Sequence, residues 1–183
     1  MTISKTNIMK VILNKIYIPL LFFVVMSCAK DSEAQEIEKD LFKEIAEKIL
    51  AKTNDIRKSQ GKTDLAQNDE MDILATLHSE NMVDFNFFAH VDHEDKSPSE
   101  RANALSFSWT SIAENIGQVP WFENVSSCGD TRSAEAISNC VVEGWKNSPG
   151  HYTNMIGDYS ELGVGIAFTK DSIAFFTQVF RNP

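Results

Sequence analysis

The sequence predicts an α+β fold, with helices first and a strand hairpin last. Three observations carry this. Leu41, Phe42, Ile45, Ala46, Ile49 and Leu50 recur at helical spacing. Ala136/Ile137, Cys140/Val141 and Gly144/Trp145 step by four. Near the C-terminus, two apolar runs flank the turn sequence Thr169-Lys170-Asp171-Ser172. That order favours segregated layers over βαβ units.

The first helix is predicted from about residue 40 to 58, with Ile56 extending its apolar face. Gln60-Gly61-Lys62 stops it, and Gly61 can adopt the left-handed cap conformation. Asn68-Asp69-Glu70 opens a second helix, with acids in its first turn where the helix dipole favours them. Met71, Leu74, Ala75, Leu77, His78 and Met82 line its inner face, and Asn86 with Phe87-Phe88 marks its end. Residues 91–111 have weak periodicity and are broken by Pro98, with one short helical stretch at Ser99-Glu100-Arg101-Ala102. A further helix runs from about 131 to 147; Pro149 cannot continue it and Gly150 can turn the chain. Leu162, Val164, Ile166 and Phe168 then alternate with Gly163, Gly165 and Ala167. The small face of that strand invites close approach by a helix or another backbone. Ile173 to Phe180 is apolar on both faces, the pattern of a central strand.

The N-terminus is excluded from this fold. Residues 1–27 hold Lys5, Lys10 and Lys15, no acid, and an apolar run from Ile16 to Met26 that is short for a bilayer span. Val25-Met26-Ser27-Cys28 has the form of a bacterial lipobox, which predicts lipidation at Cys28 after cleavage. The alternative is an ordinary cleaved signal peptide with a chance cysteine. Residues 28–40 are polar and charged and read as a flexible tether, leaving 41–183 as the domain. The expected location is the bacterial cell envelope, attached through the lipid and either periplasmic or surface-exposed.

Removing three lysines from 17 basic residues leaves 14 against 26 acids, a net charge of −12 from residue 28 on. An acidic chain is a poor ligand for nucleic acid, whose affinity comes largely from cationic side chains on phosphates. Attachment to the membrane would come from acyl chains rather than charge. With Cys28 lipidated, Cys128 and Cys140 remain as one pair, expected as a disulfide in an oxidising compartment; two reduced thiols are the alternative.

Three separated segments carry the chemistry: Phe87-Phe88-Ala89-His90, Ala113-Glu114-Asn115-Ile116-Gly117, and Trp145-Lys146-Asn147-Ser148-Pro149-Gly150-His151. Two imidazoles and a carboxylate can hold zinc with one coordination place open, or form a carboxylate–histidine pair without metal. Each residue also has a plainer role: His90 capping a turn, His151 bonding a carbonyl, Asn115 closing a loop, Arg101 pairing with an acid at the core edge. His78 and His93 read as structural or solvated, with His93 near enough to His90 to replace it. Ser148 lacks the Gly-x-Ser-x-Gly setting of a nucleophile elbow.

Taken together, these segments resemble the CAP superfamily (cysteine-rich secretory proteins, antigen 5, pathogenesis-related 1; the SCP domain), in its bacterial branch. Leu162-Gly163-Val164-Gly165 and Thr177-Gln178-Val179-Phe180 add to the resemblance, which covers roughly residues 43–181. It implies a three-layer α-β-α sandwich with a central antiparallel sheet and a cleft lined by two histidines and two acids. His90, Glu114 and His151 match three of these; the fourth position is Ser148, and Glu143 is the substitute acid to consider. The resemblance implies a domain that binds a lipid, an envelope component or a protein in a His/Glu-lined cleft. The alternatives are a metal-dependent hydrolase of envelope peptide or ester bonds, with zinc on His90, His151 and Glu114, and a structural module with a vestigial cleft.

Overall fold

The computed structural model describes the backbone of residues 18–183 and the side chains of residue 33 and of 35 onward. Most of the expected leader and the side chain of Cys28 therefore lie outside the described residues. The chain divides into two units, Met1–Asp40 and Leu41–Pro183. In chain order the elements are α1 (Ile18–Ser59), β1 (Ala66–Gln67), α2 (Asp69–Asp84), α3 (Pro98–Ala104), β2 (Ser111–Pro120), α4 (Ala134–Lys146), α5 (Pro149–Met155), β3 (Glu161–Phe168) and β4 (Ile173–Asn182). Among the described residues no helix is long and apolar enough to cross a membrane.

The second unit is an α-β-α sandwich. Its sheet has the order β1-β3-β4-β2, antiparallel except for the two-residue β1, which lies parallel to β3. The β3–β4 hairpin turns where the sequence predicts, and β4 is an inner strand, as its two apolar faces require. One face carries the bulky side chains Leu162, Val164, Ile166, Phe176 and Phe180. They pack with Ile45 and Ile49 of α1, Ile137, Val141 and Trp145 of α4, and Met155 of α5. On the other face, Met71, Leu74 and Ala75 of α2 pack with Ala102 and Val179.

The small face of β3 explains how α2 sits. A Cβ on Gly163 would lie 2.0 Å from the Met71 carbonyl carbon, and one on Gly165 2.1 Å from that of Ala75. The helix backbone therefore rests directly on the strand. Asp72 fixes the register by accepting a 2.8 Å hydrogen bond from the Val164 N–H, and Ser79 donates to the Gly165 carbonyl at 3.1 Å.

Two predicted helix boundaries hold in detail, whereas the first helix, predicted from about residue 40, begins at Ile18 and takes in residues 28–40, which the sequence reads as a flexible tether. Gly61 has φ +68°, and the Gly61 and Lys62 N–H groups close on the Lys58 and Arg57 carbonyls, a Schellman cap. Asn68 caps α2 by accepting from the Met71 N–H. Two proline readings need correction. Pro98 begins α3 at its first turn behind a Ser97–Glu100 capping box. Pro149 does not continue α4, which stops at Lys146 close to the predicted end, but Gly150 does not turn the chain: Pro149-Gly150 open α5. Proline has no N–H to lose at a helix's first turn, so a breaker in the middle of a helix becomes a starter there. The sequence reading also assigns no strand to residues 111–120, which form a full edge strand, β2.

Candidate functional site

Glu114 and Asn115 are neighbours in β2, so their side chains leave opposite faces of the sheet. Glu114 reaches toward α2 and α3, and its side chain is 1% exposed. One oxygen accepts from Arg101 Nη2 at 2.5 Å and the other from His90 Nδ1 at 2.9 Å. His78 Nε2 lies 3.7 Å from the same oxygen as His90. The acid partner expected for Arg101 is thus the motif glutamate itself.

α3 positions Arg101, whose side chain is only 8% exposed. Its Nη1 donates to the carbonyls of His90 at 2.8 Å and Lys96 at 3.0 Å. One guanidinium therefore holds both the carboxylate that orients His90 and the backbone that carries it. A carboxylate can only accept when ionised, so the His90 proton sits on Nδ1. The ring's Nε2 edge belongs to a side chain that is 48% exposed.

His78 is the member that sequence reading leaves out. It is fully buried and its Nε2 lies 3.0 Å from the Ala89 carbonyl. A carbonyl can only accept, which puts the proton on Nε2 and leaves Nδ1 without a partner. Burial pushes its pKa down, opposed by the Glu114 charge. On the inner face of α2 it occupies a position that apolar periodicity alone would assign to the core.

Asn115 closes a second network on the opposite face. It donates to the His151 carbonyl and to Gln178 Oε1, each at 3.1 Å, while its own oxygen accepts from Asn154 at 2.9 Å. Gln178 continues inward to Thr53 at 2.9 Å. This network ties the first turn of α5, and hence His151, to β2 and β4. Asn115 thus has the plainer role the sequence suggests, holding the segment that carries His151. Burial lowers the pKa of His151. Trp145 completes the frame by donating to the Ile116 carbonyl at 2.9 Å. Gly117 leaves room for it, since a Cβ there would lie 3.2 Å from the indole nitrogen.

The remaining candidates fall elsewhere. Ser148 is the N-cap residue of α5 and its side chain makes no cap hydrogen bond. Glu143 is exposed on α4 and pairs with Lys146 at 3.1 Å. It makes no hydrogen bond or ion pair with His90, Glu114 or His151 among the described residues. His93 bonds Asn81 at 2.7 Å and stacks on Phe85, which removes it as a replacement for His90. Cys128 and Cys140 are disulfide-bonded, with Cα atoms 5.5 Å apart. The bridge ties the segment after Trp121 to α4.

Zinc fits this arrangement poorly. Among the described residues no three His, Cys, Asp or Glu side chains form a group that could hold a metal ion. Both Glu114 oxygens are occupied, and the adjacent guanidinium already balances the carboxylate charge. What the site offers chemically is a carboxylate-oriented imidazole on a half-exposed side chain, with His151 held by the separate Asn115 network.

The fold and these motifs define an SCP-type domain. The sequence pattern of the CAP family, described as the cysteine-rich secretory protein family, matches residues 50–180, and the chain belongs to that family. It is 28% identical over 134 residues to the uncharacterized protein YkwD of Bacillus subtilis, covering 73% of this chain and 45% of that protein. It is 31% identical over 119 residues to the uncharacterized membrane protein YlbC of the same organism, covering 64% of this chain and 30% of the relative. The chain thus spans less than half the length of the curated relatives it matches. Among solved structures it resembles an extracellular SCP-domain protein of Bacillus anthracis, with TM-score 0.62, 25% identity, and coverage of 79% of this chain and 42% of that one. An outer surface protein of Borrelia burgdorferi shares the fold at TM-score 0.60 and 19% identity, over 73% of this chain and 88% of that one.

Proposed function

We propose that this chain is a lipid-anchored, extracytoplasmic CAP-domain protein that recognises a lipid, an envelope component or a protein at the His90–Glu114–His151 face. One observation carries the reading: both oxygens of Glu114 are committed, one to Arg101 and one to His90. A carboxylate held this way orients an imidazole but is not free to serve as a general base. Among the described residues Ser148 bonds no histidine that could activate it. An imidazole fixed by a buried carboxylate on a half-exposed side chain is suited to hydrogen-bonding a ligand. The lipobox at Cys28 supports the anchor, and the description of the Bacillus anthracis relative as extracellular supports the compartment.

The test is binding of the purified full chain to vesicles of bacterial lipids and to peptidoglycan fragments. Saturable binding that weakens about tenfold or more in His90→Ala/His151→Ala is the expected result, since each lost hydrogen bond is worth about 1 kcal/mol. Binding to no envelope component ends the small-ligand reading. Binding unchanged in the double variant points to a structural module with an idle face. The half-exposed, carboxylate-oriented His90 leaves one alternative, a metal-dependent hydrolase. That alternative requires metal-stimulated turnover of an envelope peptide or ester, lost in the same variant.

A further inference from the structure

An open groove of about 830 Å3 lies between the C-terminal end of α2, the end of β2 and the β3–β4 turn. That volume falls within the roughly 300–1,000 Å3 usual for small-molecule sites. None of its lining residues is His90, Glu114 or His151. Val83, Ile173 and Phe175 supply its apolar part, and they belong to one small cluster with Met82 and Ile116. Phe175 meets Phe88 edge-on, with ring centroids 6.1 Å apart. Phe88 is exposed, so the apolar strip continues past the groove.

The rest of the lining is polar and uncommitted. Asp84, Asn86, Gln118 and Asp171 face the groove, and among the described residues their side chains make no ion pair or hydrogen bond. All four are exposed, so their polar atoms are within reach of a ligand. Asp84 is the most telling of them. It is the last residue of α2, and the last turn of that helix holds no basic residue. The negative end of the helix dipole disfavours a carboxylate there. The fold therefore gains nothing from this charge at this position.

We infer that this groove is a second binding site, for a neutral saccharide. A pyranose ring presents hydroxyls around its edge and C–H bonds on its faces. A face covers Val83, Ile173 and Phe175 and takes their apolar surface out of water. The hydroxyls donate to the Asp84 and Asp171 carboxylates and exchange hydrogen bonds with the Asn86 and Gln118 amides, which both donate and accept. Bonds to an ionised acceptor are the stronger ones. Two carboxylates against the single Lys170 leave the groove net negative, which turns away anionic sugars and phosphates. A hydrocarbon chain would strip water from four unpaired polar side chains without replacing those bonds.

The test is an NMR titration of the full chain with chitotriose and cellotriose, two neutral trisaccharides, read at the Asn86 and Gln118 side-chain amides and the Ile173 methyls. Trigalacturonate is the anionic comparison. Saturable shifts at all three residues are expected with at least one neutral sugar, and weaker binding with trigalacturonate. Asp84→Ala should weaken the neutral sugar about tenfold or more, the worth of a hydrogen bond to a charged group. Its unfolding midpoint should hold or rise, because the helix end loses an unfavourable charge. His90→Ala/His151→Ala should bind the sugar undiminished, which separates this site from the recognition face. No saturable shift with either neutral sugar, equal or tighter binding of trigalacturonate, or undiminished binding by Asp84→Ala would overturn the inference.

Discussion

Replacing Glu114 with glutamine tests the buried arrangement from which the site is built. The substitution keeps the shape of the side chain and removes its charge. Arg101 remains behind with its side chain 8% exposed, held by two carbonyls but with no anion. Removing one partner of a buried pair typically costs about 3–5 kcal/mol, because the other charge stays buried and uncompensated. Both partners here are more than nine-tenths buried, so the full range applies rather than the 0–1 kcal/mol of a surface pair. In urea, with a slope of about 2 kcal/mol per molar, the unfolding midpoint should fall by roughly 1.5–2.5 M. A second variant separates charge from packing. Arg101→Met combined with Glu114→Leu removes both charges, and the exposed His90 can turn to water. Such replacements are often neutral or stabilising, so the double variant should recover most of the loss. A Glu114→Gln loss below about 1 kcal/mol would place the pair in the surface class and refute the reasoning. So would a double variant less stable than the single one.

The other predictions concern the frame. Gly163→Ala places a Cβ 2.0 Å from helix backbone, which cannot rotate aside, so a loss of about 3 kcal/mol or more is expected. The same change at Gly144, whose Cβ meets nothing within 4 Å, should gain up to about 1 kcal/mol of helix propensity; matched denaturant curves decide both. His78 and His151 have folded pKa values below the ordinary 6.5. Below pH 6.5 the unfolded chain therefore takes up protons that the folded chain resists. Stability should be complete above that pH and decline as the pH falls toward the depressed values, and His78→Gln should flatten the decline. Cys128→Ser/Cys140→Ser opens a bridge of sequence separation 12 and should cost roughly 3 kcal/mol at most by thermal unfolding without reductant.

What the sequence makes legible follows from where each signal is local. The alternation of glycine with bulky residues in β3 reports a close approach that only a helix backbone satisfies, and α2 supplies it. Capping residues announce α2 in the same way, because the cap is made within four residues. β2 was hidden for the opposite reason. Glu114 and Asn115 interrupt its apolar alternation, and both are buried because Arg101, Gln178 and Asn154 satisfy them from distant segments. No window of the sequence contains those partners. His78 is concealed by its position among core residues of α2, where it counts as one more inward side chain. The role of Arg101 depends on α3, which a capping box and Pro98 build from a stretch with little periodicity. The motif histidines and glutamate were legible as a set, but the commitment of Glu114 to a guanidinium was not, and that commitment changes the chemistry expected of the set.

The central claim is that Glu114 orders a recognition face rather than completing a metal centre. A calorimetric zinc titration of the full chain, alongside His90→Ala/His151→Ala, tests it most directly. The account predicts no stoichiometric zinc binding that depends on the two histidines. One zinc per chain in the wild type, lost in the double variant, would contradict it and place the carboxylate among the metal's ligands.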